Sequence, residues 1–189
     1  MLSPATTNVT LALDLGATTG WAVAGNGVIM ASGSRYFPYN SDDGHAGEGR
    51  RFADFHNWLR DKIVDFQVDE IVYEYVAGWQ SSNAAKALYY GLRAQMCIVG
   101  QHVSPIPIKT NELKLAFTGS GNASKEAMCA KCMQLGWENG VPGEDKNHDE
   151  ADAVALMFTH RKWRQRECRF ATDEEKIEWL HSTPRPNGT

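Results

Sequence analysis

Short apolar runs rich in β-branched residues alternate with amphipathic stretches along this chain. Three such runs stand near the start, at residues 9–13, 20–24 and 28–32, and each has the length of a strand. A Gly-Asn-Gly turn joins the second run to the third, which is a strong signal for a β-hairpin. The chain is therefore predicted to begin with three antiparallel strands, followed by a polar, Gly-rich loop at residues 33–49.

Two later apolar runs are predicted to add strands to the same sheet. Residues 71–76 form a continuous run that is typical of a buried strand. Residues 103–108 contain Pro105 and Pro107, which have no backbone N–H to donate, so this strand is predicted to lie near an edge.

Apolar residues recur at helical spacing between and after these runs. The predicted helices cover residues 52–66, 83–99 (with Asn83 as its cap), 111–117, 124–135, and a last segment that carries Ala151, Val154, Ala155 and Phe158. Hairpin-paired strands followed by alternating helices and strands predict an α/β fold. Its sheet would be mixed, with about five strands, three antiparallel and then parallel, flanked by helices.

The length and composition of the chain fit one globular domain. Its 189 residues are enough to bury a core, and 42% are hydrophobic while 22% are charged. No apolar run is long enough to cross a membrane, and the first residues lack the features of a signal peptide, so a cytoplasmic protein is expected. The formal net charge of −4 argues against a nucleic-acid-binding surface, except where it arises from acids that bind metal.

Four carboxylates in three separate segments carry the main chemical signal. Asp14 and Glu74 lie in or just after short apolar runs, where an unpaired charge is costly to bury. Asp149 and Asp152 are three apart in a helical pattern, so they leave the same face of the helix. If the three segments meet, bound divalent cations are needed to make four adjacent acids tolerable. That is the makeup of a two-metal phosphodiesterase site.

Each of these acids also has a purely structural interpretation. Asp14 is in a position where a turn or helix cap is common, and Glu74 fits the solvent-facing position of an alternating strand. Asp149 fits a helix cap, and Asp152 a side chain that faces water. The nuclease hypothesis therefore depends on whether the segments meet.

Five motifs occur in order between about residues 10 and 160: LALDLGATTGWAV, IVYEYV, SNAAKALYYGLRAQ, KLAFTGSGNASKEAM and DEADAVAL. Together they resemble the motifs of the RuvC-type Holliday-junction resolvases, members of the RNase H-like nuclease superfamily. The resemblance implies an RNase H-like fold and an endonuclease that hydrolyses phosphodiester bonds in Holliday junctions or other branched DNA. It also implies a bacterial cell, or a bacterial host cell if the chain is encoded by a bacteriophage.

The resemblance assigns roles to individual residues. It places Asp14, Glu74, Asp149 and Asp152 as ligands of two Mg²⁺ ions, for which Mn²⁺ would substitute, and as catalytic residues. Lys125 is implied as the catalytic lysine and a DNA contact, and Lys114 as a DNA-backbone contact. His148, beside Asp149, is a candidate to contact the scissile phosphate or a water of the metal site.

The family resemblance also implies a homodimer, which suits symmetric cleavage of two strands. The predicted helix at 83–99, with Leu88, Tyr89, Tyr90 and Leu92, is the candidate for part of the interface. The alternative is ordinary packing of this helix on its own sheet.

Two regions depart from the family pattern. The loop after Glu74 is about two residues longer than expected, and Trp79 is its candidate to stack on an unpaired base, although it also fits a tryptophan packed on its own domain. After a nuclease domain at residues 1–160, an extension at 161–189 begins with Arg161, Lys162 and Arg164, which suit phosphate contact or a solvated helix end. A short helix and a disordered end are predicted to follow.

The cysteines leave alternatives open. Cys129 and Cys132 form a C-x-x-C, which fits a redox pair or half of a zinc site, with His148 or Cys168 as a further zinc ligand. In one predicted helix they also fit the pattern of small buried hydrophobic residues.

Competing functions remain at this point. The sequence around Asp14 also resembles the first phosphate loop of actin-like and sugar-kinase phosphotransferases, although 189 residues are few for such an enzyme. A related nuclease that acts on flaps, replication forks or genome ends is a closer alternative. A binding module in which the acids are only caps is a third.

Overall fold

The structure, a computed structural model, describes residues 8–76, 82–103, 105–137 and 148–167. Its centre is a mixed sheet of five strands: β1 (Val9–Asp14), β2 (Thr18–Gly25), β3 (Val28–Tyr36), β4 (Glu70–Tyr75) and β5 (Pro105–Lys109). Their order across the sheet is β3-β2-β1-β4-β5. The first three strands pair antiparallel, while β4 is parallel to β1 and β5 is parallel to β4. The predicted fold class is confirmed, including the edge position of the proline-containing strand.

Five helices cover the two faces of the sheet: α1 (Gly44–Phe66), α2 (Asn83–Val99), α3 (Thr110–Thr118), α4 (Lys125–Gln134) and α5 (His148–Glu167). Side chains of a strand alternate between faces, so Leu11 and Leu13 enter the core formed with α1 and α2. Ala12 enters the other core, formed with α3, α4 and α5. Alanines on both sides, such as Ala22 on β2 and Ala151 on α5, let α5 approach the sheet closely.

Two sequence predictions were wrong in detail. Residues 33–49 are not one loop, because β3 continues to Tyr36 and α1 begins at Gly44. Gly33 was taken as a loop signal, but it lies in the strand against the indole of Trp21, where a Cβ would come within 3.1 Å of the ring. The cap of α2 is Ser82 rather than Asn83, since the Ser82 side chain accepts the N–H of Ala85.

Helix α5 runs without a break past residue 160 to Glu167. The first part of the predicted extension therefore continues the core helix, and the division at residue 160 stays a prediction. Residues 168–189, with Cys168 and the predicted short helix, lie outside the described residues. Among the helices that are described, none is both long and apolar enough to cross a membrane.

Candidate active site

Asp14 and Glu74 lie side by side at the carboxyl ends of two neighbouring parallel strands. Leu13 on β1 is in register with Tyr73 on β4, so the next residue of each strand reaches the same edge of the sheet. Both acids alternate with residues of the α1–α2 core, and they therefore point to the face that α3, α4 and α5 cover. Glu74 is only 9% exposed, which excludes the solvent-facing interpretation of this residue.

The first turn of α5 brings Asp149 and Asp152 to the same place. Gly20 on β2 is the register partner of Asp14, and a Cβ at Gly20 would lie 1.7 Å from the carbonyl oxygen of Asp149. The backbone of α5 therefore rests directly on the backbone of β2, beside Asp14. Sequence reasoning placed Gly20 at the start of a strand but missed this role, because only the packed helix reveals why a side chain is excluded.

Glu150 fixes how α5 is rotated at this point. Its carboxylate is buried and accepts the Ser32 hydroxyl at 2.7 Å and the indole N–H of Trp137 at 3.2 Å. Because Glu150 stands between the two site acids in sequence, these bonds to β3 and to the end of α4 also hold Asp149 and Asp152 in place. Glu150 was not predicted to have a role, although an additional acid between Asp149 and Asp152 was a visible signal.

The electrostatics show that the four acids share one site. The pKa of Asp14 is raised well above its usual value, first by burial and then by the charges of Glu74, Asp152 and Asp149, while Lys125 opposes the shift. Burial also raises the pKa of Glu74, against a hydrogen bond from Thr110 and the charges of Lys114 and Lys125. The segments that carry the acids and the two lysines therefore meet, as the nuclease hypothesis requires.

The chemistry of this donor set fits hard divalent cations. Carboxylate oxygens are the ligands that Mg²⁺ and Mn²⁺ prefer, and a bound cation relieves the repulsion that raises the pKa values of these acids. In the described ranges, no three Asp, Glu, His or Cys side chains are already drawn together as a ligand set. Acids that repel one another are expected to stand apart until a cation draws them together.

The pKa of Asp152 gives the metal-free protein a predictable pH dependence. Burial and then Glu74 raise this pKa from 3.8 to about 7, so between these values the folded state holds a proton that the unfolded state has lost. The contribution of Asp152 to the free energy of unfolding is therefore lost as the pH rises through about 7. We expect Asp152→Asn to stabilise the metal-free protein by roughly 2–4 kcal/mol at pH 8 and to change little at pH 4. Urea unfolding in EDTA measures this, and a stabilisation that is larger at pH 4 than at pH 8 would contradict it.

His148 and the two cysteines of the C-x-x-C lie beside the acids. The imidazole Nδ1 of His148 is 3.3 Å from the Cys129 sulfur, and the Cys132 thiol donates to the Ala151 carbonyl oxygen. Both cysteines are buried, and burial raises the pKa of Cys132 to about 12, which disfavours the thiolate that zinc requires. These observations favour the interpretation of the pair as core residues.

The basic residues at the start of the predicted extension lie at the other end of α5. Arg161 is twelve residues after Asp149, a distance of about 18 Å along the helix. Arg161 donates to the Gly27 carbonyl oxygen, Lys162 to that of Ala116, and Arg164 to the Glu70 carboxylate. The structure therefore does not bring these cations to the acids, and their contact with DNA stays a prediction. Trp79 lies outside the described residues.

Helix α2, the candidate for the dimer interface, packs partly in the core of its own chain. Tyr89 and Leu92 are buried, which corrects the predicted interface at these two positions, whereas Tyr90 is 53% exposed. The Tyr89 hydroxyl donates to the backbone oxygen of Glu74 at 3.0 Å. Burial raises the pKa of Tyr89 to about 12, so the phenol stays protonated and supports the end of β4.

Comparisons with known proteins identify relatives of this chain in sequence and in structure. No protein-family model matches the chain. The chain is 28% identical over 156 residues to the crossover junction endodeoxyribonuclease RuvC of Desulforamulus reducens, which covers 79% of this chain and 93% of the relative. It is 31% identical over 112 residues to the enzyme of the same name from Rickettsia typhi, covering 58% of this chain and 68% of the relative.

Solved structures show the same fold. RuvC of Thermus thermophilus in complex with Holliday junction substrate superposes with a TM-score of 0.67 at 15% identity, over 85% of this chain and 96% of that one. The yeast mitochondrial Holliday junction resolvase Ydc2 gives a TM-score of 0.64 at 14% identity, over 90% and 85%. The sequence match spans two thirds or more of each curated relative, and the solved structures share the fold. This chain belongs to the RuvC family of crossover junction endodeoxyribonucleases.

Proposed function

We propose that this protein is a metal-dependent endonuclease that cleaves phosphodiester bonds in Holliday junctions or other branched DNA by two-metal hydrolysis. The observation that carries the proposal is the meeting of Asp14, Glu74, Asp149 and Asp152, from three distant segments, with two lysines acting on the same acids. The names of the curated relatives support the substrate class.

The four carboxylates would hold the two cations, with Mg²⁺ as the physiological ion and Mn²⁺ as its substitute. When bound, such cations supply an activated water and a sink for charge on the leaving 3′ oxygen. Asp14 stands between Glu74 and the α5 acids, and its pKa responds to all three, which suits a ligand shared by both ions.

The lysines would act on the substrate phosphate. Lys125 is exposed as the first residue of α4, yet its charge reaches Asp14, Glu74 and Asp152, so it is placed to offset negative charge at the scissile phosphate. Lys114 on α3 lowers the pKa of Glu74 and Asp152 and would hold the DNA backbone nearby. His148 is proposed to approach the same phosphate with the ring nitrogen that does not face Cys129.

Further contacts with the DNA are proposed away from the acids. Trp79 would stack on an unpaired base, and Arg161, Lys162 and Arg164, at the start of an extension at 161–189, would contact the backbone after leaving their present partners. The bacterial relatives support action in the cytoplasm of a bacterial or phage-infected cell. The phosphotransferase alternative is not favoured, because the relatives in sequence and in structure are junction resolvases.

The test offers the protein a labelled four-way junction, a flap and a linear duplex of the same sequence, with Mg²⁺ or with EDTA. We expect Mg²⁺-dependent nicks in the junction, placed symmetrically in two strands, and at least tenfold slower cleavage of the duplex. Faster cleavage of the flap would favour the related-nuclease alternative. ATP hydrolysis without any cleavage would reject the nuclease.

We also propose that the enzyme acts as a homodimer through the exposed face of α2. That face carries small and apolar residues at helical spacing, namely Ala84, Ala87, Tyr90, Ala94, Cys97 and Ile98. Ile98 is 56% exposed and Tyr90 is 53% exposed, and an apolar stripe of this kind is typical of an interface.

The dimer can be tested by placing a charge on this face. We expect Ile98→Glu to halve the molar mass measured by light scattering and to suppress paired nicking, because an unpaired carboxylate is costly to bury in an interface. Val64→Glu is the matched control, since Val64 is also well exposed, at 67%, but lies on α1. If the Ile98→Glu protein keeps the molar mass of the unaltered protein, the interface does not lie on this face of α2.

A further inference from the structure

Thr110 makes a side-chain contact with one of the four site acids. Its hydroxyl donates to Oε1 of Glu74 at 2.5 Å, across 36 residues of sequence. Glu74 is buried, so this bond takes the place of water that would otherwise solvate the carboxylate. The motifs of the sequence analysis gave Thr110 no role.

The sheet topology explains how Thr110 reaches Glu74. Strand β5 is parallel to β4, and Ile108 is the register partner of Glu74. Two residues later the chain leaves the sheet and begins α3 with Thr110, immediately beyond the end of β4. The first turn of α3 is therefore held over the carboxylate by the pairing of two strands.

The hydroxyl is not used to cap the helix. The residue at the cap position of α3 is Lys109, which makes no capping bond through its side chain. A threonine in a first helical turn commonly bonds its own backbone, but this one is directed to another strand. Its contact is therefore with the site and not with the local helix.

A hydrogen bond to one carboxylate oxygen restricts the whole group. With Oε1 held by Thr110, rotation about the last bond of the Glu74 side chain is hindered, and Oε2 is the oxygen left for another partner. Asp14 lies on the neighbouring strand, on the same face of the sheet. Ligand groups that are held in this way bind metal more tightly than free ones.

We propose that Thr110 is a positioning residue, which holds Glu74 so that Oε2 faces the cation site shared with Asp14. This inference rests on the proposed function, and it adds a residue outside the acid and lysine motifs. Thr110 does not touch the substrate phosphate in this role. It acts only through Glu74.

The surroundings of Thr110 permit a clean substitution. Thr110 is half-buried and lines an open cavity of about 620 Å³, together with Lys109, Asn111, Lys114, Gly121 and Asn122. Valine has nearly the shape of threonine, with a methyl group in place of the hydroxyl, and the open cavity leaves its side chain room to turn away from Glu74. Thr110→Val should therefore remove the hydrogen bond without disturbing the core, and Thr110→Ser should keep it.

Two measurements separate positioning from stability. We expect Thr110→Val to lower kcat on a junction about 10–100-fold with KM nearly unchanged. The protein should stay folded, with a modest fall in the unfolding midpoint because the buried Glu74 carboxylate loses a hydrogen bond. Calorimetric titration of the DNA-free protein with Mg²⁺ should show about tenfold weaker binding. Thr110→Ser should restore both values to within about threefold.

The matched control is Thr118→Val at the other end of α3. The Thr118 hydroxyl donates to the Lys114 carbonyl oxygen and accepts the backbone N–H of Ser120, so its removal costs bonds to backbone but touches no acid. We expect normal Mg²⁺ binding from this variant. Normal kcat and Mg²⁺ affinity in Thr110→Val, or equal losses in the valine and serine variants, would overturn the inference. The titration needs no cleavage, so a protein that cleaves no junction would reject the proposed function and still test Thr110.

Discussion

Asp14→Asn is expected to abolish junction cleavage while it stabilises the metal-free protein. Cleavage should fall at least about 10³-fold, because the loss of a central cation ligand removes several kcal/mol of transition-state stabilisation. The stabilisation follows from the pKa of Asp14, which is raised by burial and by three neighbouring acids. At every pH above the ordinary value of 3.8, this raised pKa costs folding energy, and the amide removes the cost. Rates of junction cleavage and urea unfolding in EDTA at pH 8 give the two readings.

Cleavage activity and stability are expected to change in opposite directions. A substitution that merely damages the fold lowers both, so the two measurements distinguish the metal role from misfolding. Asp54→Asn is the control, since it makes the same chemical change on the exposed face of α1. It should alter neither reading. Asp14→Asn protein that still cleaves the junction at a rate within tenfold of the unaltered protein would reject the assigned metal role.

Gly20→Ala is expected to impair both the fold and the reaction. The new Cβ would lie 1.7 Å from the Asp149 carbonyl oxygen and 2.2 Å from its carbonyl carbon, so the first turn of α5 must move. Overpacking of this kind costs on the order of 3 kcal/mol. A shift of about 1 Å in a group that positions a reaction costs roughly 10²-fold in rate, so cleavage should fall by that amount even where the protein is folded. Thermal unfolding and kcat on the four-way junction measure the two effects.

Gly49→Ala provides the contrast for this substitution. Gly49 lies inside α1 and has no atom within 4 Å of the position of a Cβ. Alanine is the better helix former, so we expect about 0.5–1 kcal/mol of added stability and unchanged cleavage. If both glycine variants behaved alike, close contact of α5 with β2 would not be what positions Asp149 and Asp152.

The acids were accessible to sequence reasoning because each is attached to a recognisable element. Asp14 ends a strand, Glu74 lies inside one, and Asp149 and Asp152 share one helix face, so the pattern placed all four before any contact was known. The helical and strand periods likewise predicted the five strands and the antiparallel-then-parallel sheet. These features depend on the spacing of residue types along the chain, which the sequence shows directly.

The supporting residues were not accessible in that way. Ser32 and Glu150 are 118 positions apart, and Thr110 and Glu74 are 36 positions apart. The residues next to each partner in sequence therefore give no sign of the hydrogen bond. The basic stretch after residue 160 is a second example. Its charge pattern suggested DNA contact, which stays a prediction, but it gave no sign that Arg164 pairs with Glu70, 94 positions away.

The sequence by itself determined the order of strands and helices along the chain, the candidate site acids and the family, because hydrophobic period and motif spacing are properties of neighbours along the chain. Only the tertiary structure decided how the acids are held: Gly20 admits α5, Glu150 fixes its rotation, and Thr110 restrains Glu74. These contacts join segments that meet only when the sheet has formed and both faces are covered. Their energies depend on burial and on distances of a few ångströms, which no local pattern of residue types encodes.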